Sequence, residues 1–152
     1  QKQSALYTAQ DLPLELKEAK PSFKAGKVEC VGCHDLSKKQ TLKNISLACT
    51  QCHDQAYVGL VKGWKEETLE AQKKAKDLMD RASKKLTEAK RENREIGQAA
   101  HLLARGKRAY EFIARAKGVH NVDLAGRILE EAQGDVQKAE EILDSAGEKK
   151  GY

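Results

Sequence analysis

From residue 55 onward, small and apolar residues recur at intervals of three and four among charged positions. They are Tyr57, Val61, Trp64, Thr68, Ala71, Ala75, Leu78, Ala82, Leu86 and Ala89. This mostly heptad spacing places them on one face of an α-helix, and the many alanines are typical of a seam along which helices pack closely. Lys and Glu occupy the other faces, with Glu70 and Lys74 one turn apart. The pattern predicts a long amphipathic helix.

A second periodic stretch follows the first and contains Ile96, Leu103, Tyr110 and Ile113. Together the two stretches predict that residues 55–121 form a long antiparallel helical hairpin turning around residues 90–94, or else one very long helix. We expect Gly118 to end the second stretch.

The sequence pattern of the C-terminal part, residues 122–152, predicts two short helices over residues 123–133 and 135–145. Gly134 would separate them, and Asp135 belongs to the residue types that cap helix N-termini. The tail, residues 147–152, is expected to fray. The predicted fold class is therefore all-α, with a long antiparallel helical hairpin followed by two short C-terminal helices.

The N-terminal part has no sustained period. Residues 1–27 contain several lysines and are interrupted by Pro13 and Pro21. They predict a basic, irregular arm that lies in solvent as a strap, with a short helical turn over residues 11–19. Residues 28–54 connect this arm to the hairpin, and we expect them to form a short ligand-binding loop segment.

Composition narrows the possible classes of protein. The chain has 152 residues, a formal net charge of +5, 34% charged residues and 5% aromatic residues, with a mean hydropathy of −0.71. No apolar run is long enough to cross a bilayer, which excludes an integral membrane protein. Nucleic-acid binding is not expected, because Glu balances Lys along the helices and aromatic residues are not interleaved with the basic ones. With so few aromatic residues, we expect another large apolar group to fill the hydrophobic core.

The cysteines indicate which group fills the core. All four lie in two copies of C-x-x-C-H, which is the attachment signature of c-type haem. Two thiols three positions apart reach the two vinyl groups on one porphyrin edge, and the next residue supplies an axial imidazole to the iron. We therefore expect two covalently attached haem c groups. The first haem would be held by Cys30, Cys33 and the proximal ligand His34, and the second by Cys49, Cys52 and the proximal ligand His53.

The cysteine pattern has two other possible interpretations, a zinc site and a pair of disulfides. Paired C-x-x-C knuckles also bind zinc, but a zinc site does not need a histidine directly after both second cysteines. Two disulfides are possible in a secreted chain, although C-x-x-C pairs are more often redox-active than structural. Fourteen residues separate His34 from Cys49, so the connector would hold the two haems close together.

The two remaining histidines are candidates for the distal axial positions. If the hairpin turns around residues 90–94, His120 lies near Trp64 and the haem segment, which predicts it as a distal iron ligand. His101 lies 19 residues earlier, about 28 Å away along a helix. It would be a surface residue, a ligand to a haem of a partner chain in an interlocked dimer, or a ligand on a broken helix that folds back. Met79 fails on the same distance and is expected in the helical seam.

Several features follow the second haem motif in a recognisable order. They are Tyr57, Trp64, the run Tyr110-Glu111-Phe112, the run Gly118-Val119-His120-Asn121, and a short helix with Leu129. With these features, residues 28–133 resemble the C-terminal helical part of multihaem cytochromes related to ammonia-forming nitrite reductase and hydroxylamine oxidoreductase.

The resemblance implies a ligand pairing. In that family the histidine of the G-x-H run is a distal ligand, usually of the next-to-last haem. Carried over, His120 would ligate the first haem opposite His34. The family's enzymes also carry further haems, including a catalytic one, in an N-terminal part that nothing in this sequence matches.

We therefore predict an exported dihaem c-type cytochrome that relays electrons between redox partner proteins, such as other multihaem cytochromes, and is not itself an enzyme. Covalent haem attachment takes place outside the cytoplasmic membrane, so the expected location is periplasmic or extracellular. The length of the hairpin predicts a homodimer or a subunit of a larger complex. The alternative is a haem enzyme of the nitrite or hydroxylamine type, in which the iron at His53 keeps an open site.

Overall fold

A computed structural model describes residues 1–16 and 18–148, with the side chains of residues 146–148 left aside. This part of the chain is all-α and contains no β-strand. The α-helices are α1 (Lys2–Thr8), α2 (Cys30–Cys33), α3 (Leu42–Ala48), α4 (Leu60–Arg91), α5 (Gly97–Ala116) and α6 (Val122–Glu148). Short 3₁₀ turns span Cys49–Gln51, Gln55–Gly59 and Gly118–His120. Among the described helices, none combines the length and the hydropathy of a bilayer-crossing segment.

The predicted antiparallel hairpin is confirmed, with α4 and α5 as its two arms. The seam alanines Ala75, Ala82 and Ala89 are buried, as is Met79. The backbone reverses between Arg91 and Gly97, close to the predicted turn. Small seam residues let the helix backbones approach closely, which explains how a core with few aromatic residues is filled.

Helix α6 packs against both arms of the hairpin and completes a three-helix bundle. Its apolar face buries Ile128, Leu129 and Leu143. Helix α6 passes close to Gly106 of α5, where an added Cβ would lie 3.0 Å from the carbonyl oxygen of Ala132. The missing side chain of Gly106 therefore allows close packing at this crossing of α5 and α6.

The prediction of two short C-terminal helices is wrong, because α6 is continuous through Gly134 and Asp135. Asp135 does not cap a helix. It is 2% exposed, and its carboxylate accepts hydrogen bonds from the guanidinium of Arg105 on α5. Packing of α6 against the hairpin offsets the roughly 1 kcal/mol cost of one glycine inside a helix. Residues 149–152 of the predicted frayed tail lie outside the described residues.

The N-terminal arm differs from its prediction as an irregular strap in solvent. It begins with α1, whose Leu6 is fully buried against the bundle. The side-chain amide of Asn121 donates to the carbonyl oxygens of Leu6 and Lys20, at 3.3 and 3.1 Å. The described residues of the predicted turn over 11–19, which exclude residue 17, form bends and turns but no helix.

The segment 28–54 is also more regular than the predicted loop, because it contains α2 and α3. Thr41 caps α3 by accepting a hydrogen bond from the backbone N–H of Asn44 at 3.2 Å. Helix α3 then runs directly into the second cysteine pair. The two C-x-x-C-H motifs are therefore joined by a capped helix.

Candidate functional site

The two C-x-x-C-H motifs share one backbone hydrogen bond, although the first is α-helical and the second begins with a 3₁₀ turn. The backbone N–H of His34 donates to the carbonyl oxygen of Cys30 at 2.9 Å, and that of His53 donates to Cys49 at 3.0 Å. Each motif is therefore a single closed helical turn. In such a turn, residues three apart lie on the same side, so each motif presents its two thiols together with the histidine directly following.

The four cysteines, all within the described residues, form no disulfide. Burial raises the pKa of the Cys33 thiol, and the nearby Lys24 ammonium partly opposes this rise. Cys49 of the other motif also raises the Cys33 pKa through charge repulsion. Cys33 of the first motif and Gln51 of the second line the same cleft, so the two motifs lie close together, as their short connector predicts.

Lys24, at the end of the N-terminal arm, reaches this region. Its ammonium lies 4.2 Å from the ring centre of Trp64 in a cation–π contact. Burial lowers the pKa of Lys24, while Cys33 and Cys49 act in the opposite direction. The arm is also attached to the chain just before the first motif, because the Tyr7 hydroxyl donates to the carbonyl oxygen of Val28 at 2.7 Å.

The structure brings together His34 and His120, which are 86 positions apart. Their ring centres are 6.2 Å apart and their ring planes differ by 23°. A metal–imidazole bond is about 2 Å long and the ring centre lies about 1.1 Å beyond the nitrogen, so two imidazoles on opposite sides of one metal ion have centres roughly 6.2–6.5 Å apart. The observed separation fits a pair of axial ligands.

The hydrogen bonds of His120 leave the correct nitrogen free for a metal. Its Nδ1 lies 3.0 Å from the carbonyl oxygen of Ala116 and 2.8 Å from that of Lys117. Carbonyl oxygens only accept, so Nδ1 carries the hydrogen and Nε2 keeps its lone pair. Metal-binding histidines characteristically donate their second ring N–H in this way.

His34 follows the same rule through a side chain that the sequence did not single out. Its Nδ1 lies 2.9 Å from Oε1 of Gln40, which leaves Nε2 of His34 available. The sequence offered one indication of this contact, because Gln40 is a hydrogen-bond acceptor six residues beyond His34 in a short connector. A sequence pattern alone does not indicate which polar connector residue folds back onto the ring.

The position of His120 depends on its two neighbours. Gly118 packs against Thr68 of α4 so closely that an added Cβ would overlap the threonine side chain. Asn121 is 8% exposed, and its Oδ1 accepts from the backbone N–H of Leu124 at 3.3 Å, which caps α6. The Gly118–Asn121 run therefore fixes His120 between α4, α5 and α6.

The second motif has a different environment. The exposed ring of His53 stacks on Tyr57, with ring centres 4.1 Å apart and planes differing by 14°. Within the described part of the chain, the ring of His53 contacts the phenol of Tyr57, whereas the ring of His34 contacts the imidazole of His120.

His101 is not brought to either motif. It is exposed on α5, and 15 residues of continuous helix separate it from Ala116, a rise of about 22 Å. The helix does not break and fold back, so that alternative for His101 is wrong. A surface position and a contact with a partner chain both remain compatible with its exposure. Buried Met79 lies in the helical seam, as predicted.

Exposed apolar side chains are concentrated around the two motifs. Within the described residues, the large apolar side chains that are exposed all fall between residues 23 and 69. Leu36 and Val31 are 78% and 61% exposed. A cleft of about 140 Å³ lies between α2 and α3 and is lined by residues including Cys33, Ile45 and Leu47. This half of the protein therefore presents apolar surface that its own chain does not cover.

Within the described residues, no group of three or more His, Cys, Asp or Glu side chains is arranged to hold a metal ion on its own. No protein-family model, no curated protein and no solved structure matches the chain significantly.

Proposed function

We propose that this chain is an exported dihaem c-type cytochrome that relays electrons. Cys30 and Cys33 would bind the first haem covalently, with His34 and His120 as its axial ligands. The observation that carries the proposal is the 6.2 Å separation of these two imidazoles. A sequence motif alone predicts one proximal histidine, whereas the fold supplies a second imidazole, from a distant element, at the spacing that bis-histidine ligation requires.

The second haem would be held by Cys49 and Cys52, with His53 as the proximal ligand. The backbone hydrogen bond that closes both motifs, from the histidine N–H to the carbonyl oxygen of the first cysteine, supports this assignment. The exposed apolar residues around both motifs support it as well, because porphyrin faces would cover them and gain about 25 cal/mol for each Å² of apolar surface removed from water. Two haems would also supply the missing core of residues 28–54.

When bound, haem iron accepts and releases single electrons, and the protein sets its reduction potential. The residues of this chain would act on that potential in three ways. The two imidazoles favour the ferric state, hydrogen bonds at Nδ1 strengthen their basicity, and the surrounding apolar residues exclude water. The short connector would keep the two haems within reach of direct electron transfer.

The expected partners are redox proteins, among them other multihaem cytochromes, outside the cytoplasmic membrane. The hairpin would mediate assembly as a homodimer or as a subunit of a larger complex. Sedimentation of the haem-loaded protein tests this part of the proposal. A clean monomer at micromolar concentration would contradict self-association.

A second candidate function is a haem enzyme that acts on a small nitrogen compound such as nitrite or hydroxylamine. The contrast between the two motifs favours it, because His34 faces an imidazole whereas His53 is stacked on Tyr57. An iron at His53 without a strong distal ligand would bind small molecules. Carbon monoxide distinguishes the candidates, since two six-coordinate haems would leave the reduced spectrum unchanged when the gas is added.

Mass spectrometry of protein produced in a host that attaches c-type haem tests the primary proposal. We expect the polypeptide mass plus two haems. The double variant Cys49→Ser/Cys52→Ser should lose one haem and retain the low-spin spectrum of the first. The unmodified polypeptide mass, from a host that loads a control cytochrome, would overturn the proposal.

A further inference from the structure

Gln40 makes three hydrogen bonds with one side-chain amide. Its Nε2 donates to the carbonyl oxygen of Asp35 at 2.6 Å and to that of Lys38 at 2.9 Å. Its Oε1 lies 2.9 Å from Nδ1 of His34. The amide therefore spans the gap between the connector backbone and the proximal imidazole.

This arrangement determines the tautomer of His34. The two carbonyl oxygens accept hydrogen bonds and cannot donate them, so the amino end of the Gln40 amide must face them. The oxygen end then faces the ring, and Nδ1 of His34 has to be the donor. The lone pair of the ring is left on Nε2, which is the atom an axial ligand uses.

The connector turn that holds Gln40 has supports of its own. The carboxylate of Asp35 accepts from the backbone N–H of Ser37 at 3.0 Å and pairs with the ammonium of Lys38 at 2.8 Å. Asn44 donates from its side chain to the carbonyl oxygen of Lys39 at 2.9 Å. These contacts fold the turn without touching His34. Leucine and glutamate at position 40 would both lose the two hydrogen bonds from Gln40 to the connector backbone, so a comparison of these two variants isolates the contact with His34.

From this geometry we propose that Gln40 is a positioning residue, which orients His34 and tunes the reduction potential of the first haem. The inference rests on the proposed function, because it requires a haem at Cys30 and Cys33. A hydrogen bond accepted from Nδ1–H makes the imidazole a stronger electron donor, which stabilises ferric over ferrous iron and lowers the potential. A second haem motif without this partner would have a different potential.

Three variants of the haem-loaded full chain test the proposal by redox titration. Gln40→Leu removes the acceptor, and we expect the potential of the first haem to rise. A tenfold loss of preference for ferric iron corresponds to 59 mV for a one-electron couple. Gln40→Glu supplies a stronger acceptor and should move the potential in the opposite direction. The control Asn44→Ala removes a connector hydrogen bond that does not reach His34 and should leave the potential unchanged.

Opposite shifts in the two Gln40 variants would support positioning through the Nδ1 hydrogen bond. Equal shifts in the same direction, or a shift as large in Asn44→Ala, would mean that Gln40 acts by connector folding, and would overturn the proposal. Electron paramagnetic resonance of the same samples should show altered axial g values for the first haem in Gln40→Leu. Failure of the proposed function is seen separately, as missing haem mass in the unsubstituted protein.

Discussion

Thr68 of α4 fills the space in which a side chain on Gly118 would have to lie. Both methyl and hydroxyl groups of Thr68 would meet an added Cβ, and Ala125 of α6 would be 3.1 Å from it. Gly118 is itself buried and begins the 3₁₀ turn that carries His120. The contact between α4 and this 3₁₀ turn therefore determines where His120, the proposed distal ligand, lies relative to His34.

The substitution Gly118→Ala should force α4 away from the turn that carries His120. Because overpacking a close contact costs about 1–3 kcal/mol, we expect the free energy of unfolding to fall by that amount in chemical denaturation. The same variant should weaken the low-spin signal of the first haem, since the imidazole moves with the backbone.

Gly126 provides the matched control. It lies on α6, and an added Cβ there meets nothing within 4 Å. Gly126→Ala should therefore leave the spectrum unchanged and stabilise the helix by up to about 1 kcal/mol. Equal stability of the Gly118 and Gly126 variants would show that the Thr68 contact is not limiting.

Removal of the imidazole of His120 should change the spin state of the first haem, whereas removal of His101 should not. We expect His120→Ala to convert the first haem from low-spin to high-spin ferric iron and to let the reduced form bind carbon monoxide. Absorption and electron paramagnetic resonance spectra measure both effects.

His101→Ala is the control, because this side chain is exposed on α5, about 22 Å along the helix from Ala116, which precedes the turn that carries His120. It should change neither spectrum nor stability beyond about 0.5 kcal/mol. A low-spin signal that is lost in His101→Ala and retained in His120→Ala would reverse the assignment and favour a ligand donated to a partner chain.

The hairpin was predictable because its information is local and repeated. Seam positions such as Ala75, Ala82 and Ala89 recur at helical spacing, and all are buried. Helix α1 was missed because a seven-residue helix has little stability of its own, and it forms where Leu6 inserts into the bundle. Helix α6 was divided wrongly because Gly134-Asp135 has the local character of a turn, whereas the partner of Asp135 is Arg105, distant in sequence.

The candidate site divides in the same way. The thiols and proximal histidines follow from two contiguous motifs. His120 was predicted as a ligand from the hairpin geometry and from the resemblance, and its ring centre lies 6.2 Å from that of His34. Gln40 could not be predicted, because its role depends on how the connector folds back onto His34. That fold is a property of several weak hydrogen bonds rather than of a spacing.

Asn121 should couple the N-terminal arm to the bundle. Its amide donates to the carbonyl oxygens of Leu6 and Lys20, and its Oδ1 caps α6. Asn121→Ala removes all three contacts and is expected to cost about 2–3 kcal/mol of unfolding free energy, at about 1 kcal/mol for each hydrogen bond or cap. Hydrogen exchange at the amides of α1 should accelerate in parallel.

Asn121→Ser separates the two roles, because serine caps a helix but lacks the amide donors. We expect it to recover the α6 cap, so that its loss of stability is about 1 kcal/mol smaller than that of alanine, while the fast exchange in α1 persists. If exchange in α1 is normal in both variants, the arm is held by the packing of Leu6 and not by Asn121.

Substitution of Asp135 distinguishes the ion pair observed across α5 and α6 from the helix cap that the local sequence predicts. Asparagine and aspartate cap helices almost equally well, so Asp135→Asn would be nearly neutral if the residue began a helix. Within a continuous α6, the same change leaves the Arg105 guanidinium without its carboxylate. Breaking a fully buried pair costs about 3–5 kcal/mol. Because the side chain of Arg105 is 42% exposed, we expect Asp135→Asn to lower the free energy of unfolding by about 1–3 kcal/mol.

Glu70→Gln is the control, since Glu70 pairs with Lys74 on the exposed face of α4, where such pairs contribute at most about 0.5 kcal/mol. Thermal and chemical unfolding of the two variants should therefore differ, and equal stability would favour the cap.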